Sequence, residues 1–440
     1  MYIMMRANNT FNIHIPDEKL AQILSRQPIL NIGCLGSVSD GKSTFVKSMT
    51  GIQTQRHKNE QIRNITIKQG YGNMKVWFDS VENNIYTSNS DSQNYRTDIG
   101  DDCALVNHVS FVDCPGHQEL IKTMLSSISL MDGAVVVIAV DQPLNKKPQL
   151  IQHLAAAKLG NIDKIIICMN KIDLVSHDIL MERKRELDEM LALYSIKPFI
   201  IIPTCFNKKI GLDILLKAMM ILFNPINFME RTTDSSLFRI SRTFDINKPG
   251  FNWDSVVGGV IGGSLITGTL KIGDKIEIRP GQVSKSQGKF ICQPIKTDVL
   301  SIQTDDTSMN EIIPGGLIGI RTDIDPFYSK NDALAGNIAG PIGTLPSIYE
   351  KLTIEYKSVN TFGFTWEPIL SDLTMLQMGT QIVDGKLIKI SGTKLTFDIN
   401  KPSCIRDNQH IIVCKNIDKI IRIVGEGILL PEDNLVKLVI

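Results

Sequence analysis

Two patterns of hydrophobic residues divide this chain of 440 residues and limit what it can fold into. From residue 28 to about 224, short β-branched runs that are apolar throughout alternate with stretches of helical periodicity. Strands of this kind are usually buried on both faces, so the alternation predicts a mostly parallel sheet covered by helices. The predicted strands are 29–34, 109–112, 134–140, 164–169 and 199–202, and the predicted helices are 42–50, 118–130, 149–158, 179–193 and 212–222.

After about residue 227 the apolar runs become shorter and alternate with polar residues, and Gly, Pro and Asp fill the turns between them. This pattern is typical of small antiparallel barrels. A polar segment with clusters of Asn and Ser, 71–107, interrupts the first pattern, and we expect it to be a long excursion from the α/β domain. The predicted order is an irregular N-terminal extension, an α/β domain and two antiparallel β-barrels, at 1–27, 28–226, 227–341 and 342–440.

The net charge limits how this chain could hold a nucleic acid. Its 47 Lys and Arg residues nearly balance 46 Asp and Glu residues, which gives a formal charge of +1. Proteins that bind nucleic acids through bulk charge carry a large basic excess, so that class is excluded while a local RNA site is not. The stretch 278–297 contains no acid, and either an RNA or ribosome contact or a solvated loop accounts for its basic residues. These are Arg279, Lys285, Lys289 and Lys296.

The eight cysteines and the length of the apolar runs bear on the compartment. The cysteines are scattered singly without a C-x-x-C pair, so the sequence signals neither a zinc ribbon nor a redox dithiol. Residues 1–10 have no long apolar core, and the longest apolar stretches are much shorter than the ~20 residues of a membrane-spanning helix. We therefore expect a cytosolic protein with reduced cysteines in its core.

A phosphate-binding pattern follows the first predicted strand. Residues 36–43 (GSVSDGKS) match G-x-x-x-x-G-K-[ST] and open a predicted helix, which makes a chance glycine turn the weaker interpretation. In such a loop the backbone N–H groups and the helix N-terminus face the phosphates. Lys42 then reaches the β- and γ-phosphates, and the hydroxyl of Ser43 binds Mg²⁺.

A second motif, Asp113-Cys114-Pro115-Gly116, ends the strand 109–112. Asp113 can hold the Mg²⁺ shell through water, and Gly116 can turn its N–H toward a γ-phosphate. Alone, D-x-P-G is a common turn, but behind a phosphate loop we interpret it as functional. The next residue, His117, could orient the attacking water, or it could be a surface histidine without a role.

A third motif, N-K-x-D at 170–173, follows the strand 164–169. The carboxylate of Asp173 can accept hydrogen bonds from N1–H and the exocyclic N2 of guanine, and adenine offers neither donor. Asn170 supports the base and the loop, and the stem of Lys171 can pack along the purine. Together with the two phosphate motifs, this predicts a GTPase.

The segment 63–67 (RNITI) lies between the phosphate loop and Asp113, where GTPases keep a mobile loop. Thr66 could complete the Mg²⁺ shell when GTP is bound and release it after hydrolysis. The other interpretation is the start of an ordinary strand.

With these motifs the chain resembles the translational GTPases, and among them the gamma subunit of eukaryotic and archaeal translation initiation factor two. The resemblance extends over about residues 25–440 and is weakest in 71–107 and after 345. The stretches that carry it are 51–54, 58–60, 63–68, 108–117, 241–250, 258–263 and 314–319.

The resemblance implies one subunit of a heterotrimer with alpha and beta partners. Such a subunit binds GTP and methionyl initiator tRNA and delivers the tRNA to the small ribosomal subunit. A GTPase-activating protein would trigger hydrolysis, and an exchange factor would restore GTP. The aminoacyl end of the tRNA would lie between the GTPase domain and the first barrel. The alpha subunit would dock on that barrel, and the beta subunit would bind the GTPase domain.

The chain departs from the pattern of this family at three places. Ser37 and Asp40 stand where the family usually has histidines, and the carboxylate of Asp40 is expected to add negative charge beside the phosphates. Thr204 and Cys205 replace a Ser-Ala turn whose backbone supports the guanine. Many relatives have a zinc knuckle in 71–107, but only Cys103 lies there, so no metal site is predicted.

The candidate residues fall into three groups by role. The predicted catalytic residues are Lys42, Gly116 and His117, and the predicted Mg²⁺ site consists of Ser43, Thr66 and Asp113. The predicted GTP- or GDP-binding residues are Gly36, Ser39, Asp40, Gly41, Lys42, Ser43, Thr44, Asn170, Lys171, Asp173, Thr204 and Cys205. Two other functions remain open at this point: an elongation-type carrier of another aminoacyl-tRNA, and a scaffold subunit that does not respond to nucleotide.

Overall fold

The computed structural model describes most of the chain, with gaps. The described residues are 13, 15–54, 70–97, 100, 102–117, 120–223, 230–247, 257–305, 307–360, 365–417, 420–430 and 437–438. Thr66 and its loop lie outside these residues, as do the predicted domain limit at 226/227 and the stretch 248–250.

Six α-helices occur among the described residues, all of them before residue 223. The side chains of Asp17 and Ser176 cap the first and fifth helix, Pro148 begins the fourth, and Gly51 ends the second at a φ of +73°. The helices are α1 (Glu18–Leu24), α2 (Lys42–Thr50), α3 (Ile121–Ile128), α4 (Pro148–Leu159), α5 (His177–Leu193) and α6 (Leu212–Leu222).

The helices surround a 7-stranded sheet. Its strands are β1 (Leu30–Leu35), β2 (Gly70–Asp79), β3 (Asn84–Asn89), β4 (Ala104–Asp113), β5 (Gly133–Ala139), β6 (Ile165–Asn170) and β7 (Ile200–Pro203). They lie in the order β3-β2-β4-β1-β5-β6-β7, and β4, β1, β5, β6 and β7 are parallel to one another. The prediction of a mostly parallel sheet is confirmed, and the three motifs follow strands that end at one edge.

The segment 71–107 is not an excursion from this sheet, so that prediction is wrong. Strand β2 pairs antiparallel with β4, and β3 pairs antiparallel with β2. The polar residues of β2 are buried because they have partners: Asn73 Nδ2 donates to Asp305 at 2.5 Å, and Lys75 Nζ donates to the carbonyl of Ser92 at 2.6 Å. Polar composition alone therefore concealed two strands of the domain.

Helix α1 also differs from the sequence-based expectation, which treated 1–27 as irregular. Leu20 and Leu24 of this helix are buried in the core between the sheet, α2 and α6. A seven-residue helix is too short to be stable alone, so this packing is what holds it in place.

Two closed antiparallel barrels follow. The first is built from β8 (Leu237–Phe244), β9 (Val260–Thr267), β11 (Lys275–Ser286), β12 (Lys289–Thr304), β15 (Ile318–Thr322) and β16 (Ile338–Pro341). Beside it, β13 (Thr307–Met309) pairs with β12, and β10 (Leu270–Lys271) and β14 (Glu311–Ile312) form a separate two-stranded sheet. The barrel closes in the order β11-β16-β8-β9-β15-β12, because β12 also pairs with β11.

The second barrel has the order β17-β20-β19-β18-β21-β22. Its strands are β17 (Ile348–Ser358), β18 (Leu373–Met378), β19 (Gln381–Ser391), β20 (Lys394–Cys404), β21 (His410–Ile417) and β22 (Ile420–Leu429). A last short strand, β23 (Lys437–Leu438), returns to pair with β12 of the first barrel. The predicted α/β fold with two antiparallel barrels is confirmed.

The barrels contact the α/β part in different ways. Toward the first barrel polar and apolar contacts are combined: Gln27 donates to the carbonyls of Ile313 and Gly315, and Asp132 pairs with Arg231 at 2.9 Å. The side chain of Ile313 also belongs to the core cluster of α1, α2 and α6. Toward the second barrel the contact is largely apolar, because Ile412 and Ile423 belong to the same core cluster as α3 and α4. No helix among the described residues is both long and apolar enough to cross a lipid bilayer.

Candidate functional site

A cleft of about 780 Å³ opens at the edge of the sheet where β1, β4 and β6 end. Most of the predicted site residues line it. They are Ser39, Gly41, Lys42, Ser43, Thr44, Gly116, His117, Asn170, Lys171, Asp173 and Cys205. Gly36, Asp40, Asp113 and Thr204 lie behind its wall, and Thr66 is outside the described residues.

The loop between β1 and α2 has the backbone of a phosphate loop. Ser39 has a φ of +62° and Gly41 a φ of +103°, so successive N–H groups turn toward the cleft at the start of α2. Gly41 is also crowded, because a Cβ there would overlap Asn170 Nδ2. Gly116 meets the same loop from the other side, where a Cβ would overlap Lys42 Nζ and the backbone of Ser37. Both positions therefore require glycine.

Lys42 lies under this loop and is nearly buried, at 6% exposure. Its Nζ donates to the carbonyl of Ser37 at 2.7 Å. Burial lowers the pKa of Lys42, and the nearby carboxylates of Asp113 and Asp40 act in the opposite direction. The ammonium group is thus held at the loop, where it can meet negative charge entering the cleft.

Ser43 and Asp113 form the oxygen-rich corner of the site. The carboxylate of Asp113 accepts hydrogen bonds from Ser43 Oγ at 2.7 Å and from Thr54 Oγ1 at 2.6 Å. Hydroxyl and carboxylate oxygens are the ligands that Mg²⁺ prefers, so the residues present here fit that ion. Sequence reasoning did not assign a role to Thr54, because a threonine at the end of a loop carries no signal of its own.

The side chain of Asp40 does not lie beside the phosphate positions, and the expectation that it adds charge there is corrected. It is fully buried on the protein side of the loop, where its Oδ2 accepts from Ser37 N at 2.7 Å. Its Oδ1 accepts from Ala139 N at 3.2 Å and pairs with the ammonium of Lys147. A partner from outside the motif thus holds the carboxylate away from the cleft.

His153 of α4 supports the beginning of the same loop. The N–H of Gly36 donates to His153 Nδ1 at 3.0 Å. Burial, followed by the charge of Lys42, lowers the pKa of His153 to about 3, so the ring is neutral and its Nδ1 can accept. Sequence reasoning missed this residue, since a single histidine in an apolar helix has no distinguishing signal.

Asn170 joins the two ends of the cleft. Its Nδ2 donates to the carbonyl of Asp40 at 2.9 Å, and its Oδ1 accepts from Phe206 N at 3.3 Å. The side chain therefore ties the phosphate loop to the turn after β7. Thr204 is buried in that turn, where its N–H donates to the carbonyl of Met169 at 2.8 Å.

Asp173 and Lys171 point toward the other end of the cleft. Asp173 pairs with Lys208 at 3.1 Å, and hydrogen bonds from Cys205 and then Lys208 hold the pKa of Asp173 below its usual value. Lys171 adopts a φ of +64°, and its Nζ donates to Asp141 at 2.9 Å. An ionised carboxylate in this position can accept hydrogen bonds from a ligand, as guanine recognition requires.

His117 is exposed at the edge of the cleft, next to Gly116. It also lines a smaller cavity of about 220 Å³ with Ile121, Gln152 and His153. The side chain of His117 thus lies between the two cavities, and its role in orienting water stays a prediction.

Comparisons with known families and curated proteins agree with these features. The description "Elongation factor Tu GTP binding domain" matches residues 27–225, "Elongation factor Tu domain 2" matches 258–338, and "Initiation factor eIF2 gamma, C terminal" matches 359–429. The chain is 37% identical over 418 residues to eukaryotic translation initiation factor 2 subunit gamma of Encephalitozoon cuniculi, covering 92% of this chain and 93% of that protein. The subunit of Schizosaccharomyces pombe is 34% identical, covering 92% and 94%, and the Methanocaldococcus jannaschii subunit is 35% identical, covering 92% and 98%.

Solved structures share the fold. A bacterial selenocysteine-specific elongation factor superposes with a TM-score of 0.71 at 19% identity, over 92% of this chain and 59% of that one. The elongation factor SelB of Methanococcus maripaludis, in complex with the GTP analogue GppNHp, gives 0.68 at 19% identity, over 92% and 80%. With its phosphate loop, its N-K-x-D turn and its curated relatives, this chain belongs to the gamma subunits of translation initiation factor 2 and is a translational GTPase that hydrolyses GTP.

Proposed function

We propose that this chain binds methionyl initiator tRNA in its GTP state, delivers it to the small ribosomal subunit and releases it after hydrolysis. The observation that carries the proposal is the similarity to initiation factor gamma subunits over 92% of the chain, which includes both barrels as well as the GTP-binding part. A nucleotide cleft alone would support only a GTPase of unspecified role.

The phosphate end of the cleft would act mainly by positioning and charge. Lys42 would exchange the Ser37 carbonyl for the β- and γ-phosphates, and the N–H of Gly116 would meet the γ-phosphate. Ser43, Asp113 and Thr66 would hold Mg²⁺, which when bound neutralises charge on the β- and γ-oxygens. His117 would orient the attacking water, and loss of the γ-phosphate would release the Thr66 segment.

The base end would select guanine through Asp173. Because hydrogen bonds from Cys205 and then Lys208 lower the pKa of Asp173, this carboxylate can accept from N1–H and N2 without a change of protonation. Asn170 would fix the position of the base-binding turn relative to the phosphate loop through its hydrogen bond to the carbonyl of Asp40. The stem of Lys171 would cover one face of the purine.

The partners and the domain limits are part of the same proposal. The relatives are gamma subunits of a factor with several subunits, which supports alpha and beta partners for this chain. We place the aminoacyl end of the tRNA between the α/β part and the first barrel, the alpha subunit on the first barrel and the beta subunit on the α/β part. The proposed domain limits are 28–226, 227–341 and 342–440, in a protein of the cytoplasm.

The experiment that tests this function is a competition between tRNAs. The full chain, assembled with its alpha and beta subunits and a non-hydrolysable GTP analogue, is titrated with methionyl initiator tRNA and with a charged elongator tRNA in filter binding. We expect a clear preference for the initiator, and deacylated initiator tRNA is the matched control. Equal affinity for both charged tRNAs would favour an elongation-type carrier, and no affinity for either would favour a scaffold.

A further inference from the structure

The phosphate loop has a second face that points into the protein, and a charged pair is buried there. The side chains of Asp40 and Lys147 are 1% and 7% exposed, and they form an ion pair. Lys147 directly precedes α4, 107 positions along the chain from Asp40. Neither side chain lines the nucleotide cleft.

The carboxylate of Asp40 makes several contacts, and each ties the loop to its surroundings. The bond from Ser37 N closes the loop on itself, the bond from Ala139 N attaches it to the end of β5, and Lys147 attaches it to the start of α4. The backbone carbonyl of the same residue accepts from Asn170. Asp40 is therefore the point at which the ends of β5 and β6 and the start of α4 are fastened to the phosphate loop.

The charge of this carboxylate also reaches the nucleotide side. Asp40 is one of the carboxylates that act to raise the pKa of Lys42, the residue we expect to contact the phosphates. Without a partner, a buried carboxylate so close to Lys42 would compete with phosphates for that ammonium group. Lys147 supplies the compensating positive charge from behind.

We propose that Asp40 and Lys147 are positioning residues for nucleotide binding: the pair fastens the back of the phosphate loop to α4, and Lys147 cancels a charge that would otherwise repel the phosphates. The inference rests on the GTPase assignment and is independent of any role in tRNA binding. Removing one member of a buried ion pair leaves an uncompensated charge, whereas removing both charges does not. The variant that loses only Lys147 should therefore bind nucleotide more weakly than the variant that loses both charges.

The test measures affinities of the full chain for GTP and GDP by competition with a fluorescent guanine nucleotide. Lys147→Gln is expected to weaken GDP binding by about tenfold or more, because a buried carboxylate is left unpaired. The loss should be larger for GTP than for GDP, since the γ-phosphate brings additional negative charge. Asp40→Asn combined with Lys147→Gln should bind both nucleotides at least about threefold more tightly than Lys147→Gln alone, because no unpaired charge is left buried. Recovery should be incomplete, because the amide replaces one of the two carboxylate oxygens that accept from Ser37 N and Ala139 N.

Two controls separate this role from a general loss of stability. Lys146→Gln removes the neighbouring exposed lysine and should leave both affinities unchanged. Thermal unfolding without nucleotide shows whether each variant folds. If Lys147→Gln fails to fold, the double variant still decides: a double variant that folds and binds GTP and GDP supports the proposal, and one that fails to fold or folds without binding nucleotide overturns it. Unchanged affinity in a folded Lys147→Gln variant, or no recovery in the double variant, also overturns it.

Discussion

The phosphate end and the base end of the cleft are organised differently. At the phosphate end the functional groups bond to one another: Lys42 to Ser37, and Ser43 to Asp113. At the base end the carboxylate of Asp173 is hydrogen-bonded to Cys205 and Lys208 but still lies at the cleft surface, where we propose that the base binds. The base end is therefore preformed, while the phosphate end must exchange internal hydrogen bonds for ligand. This difference suits a switch that always holds guanine and responds to the number of phosphates.

A substitution of Asp173 tests whether the preformed base end selects guanine, and we expect it to have the largest effect on nucleotide affinity. Asp173→Asn should lose GTP and gain xanthosine triphosphate, because xanthine replaces the exocyclic amine with a carbonyl that an amide can meet as donor. Sites that hydrogen-bond a polar group of the ligand discriminate against an analogue without that group by roughly 10⁴-fold. We expect a change of this size in the ratio of the affinities for GTP and xanthosine triphosphate. Competition against a fluorescent guanine nucleotide measures it.

The matched control for this prediction is Lys208→Met. It removes the ion pair of Asp173 but not the carboxylate, so guanine selectivity should persist. An Asp173→Asn variant that binds GTP as tightly as the unmodified chain would show that Asp173 does not read the base.

Changing His117 tests the phosphate end at the chemical step. His117→Ala should keep the GTP and tRNA affinities but lose most activator-stimulated hydrolysis, because positioning of the water dominates phosphoryl transfer. A side chain that acts on the attacking water by acid–base catalysis typically raises the rate of the chemical step by about 10²–10⁴-fold. Single-turnover phosphate release on the ribosomal complex with activator measures the loss.

The control for the second prediction is His177→Ala, which removes an exposed histidine at the start of α5. Its hydrolysis rate should equal that of the unmodified chain. If His117→Ala stays within about threefold of that rate, far below the expected scale, then His117 is structural and another group holds the water.

The smallest expected effect is the pH dependence of the fold behind the phosphate end. The pKa of His153 is about 3 in the folded chain, and an unfolded histidine titrates near ~6.5, so the unfolded state binds the extra proton between these values. The contribution of the neutral ring to stability is therefore full above ~6.5 and is lost as the pH falls toward 3.

Unfolding by urea at several pH values between 7 and 5 measures how the contribution of His153 to the free energy of unfolding changes with pH. His153→Gln keeps an acceptor for Gly36 N–H but cannot titrate, so below pH ~6 its stability should fall less steeply than that of the unmodified chain, by about 1.4 kcal/mol per pH unit. His177→Gln should keep the original slope. Equal slopes for the unmodified and His153→Gln chains would show that His153 is not held neutral.

Much of the fold could be predicted from the sequence where the signals are local. Helices α2 and α6 have the predicted bounds, because a phosphate loop or a glycine precedes each and the apolar periodicity is regular. The motifs at 36–43, 113–116 and 170–173 converge because they follow strands that end at one edge of the sheet.

The features that escaped prediction depend on distant partners. The clusters of Asn and Ser in 71–107 suggested an excursion, but Asn73 and Lys75 of that segment lie in a strand, where they contact Asp305 and Ser92. The direction of Asp40 depends on Lys147, which no motif connects with it. A pattern read along the chain cannot contain such pairs, since they exist only after the sheet has brought its strand ends together.

The dissociation constant for methionyl initiator tRNA, measured on one preparation with a GTP analogue and with GDP, tests most directly whether the nucleotide acts as a switch. We expect a gain in affinity with the GTP analogue of about 5- to 150-fold, the usual range for coupling between two sites. The gain should disappear in Thr66→Ala, because that residue is expected to engage Mg²⁺ only when the γ-phosphate is present. Equal tRNA affinity in the two nucleotide states of the unmodified chain would contradict a GTP-switched carrier.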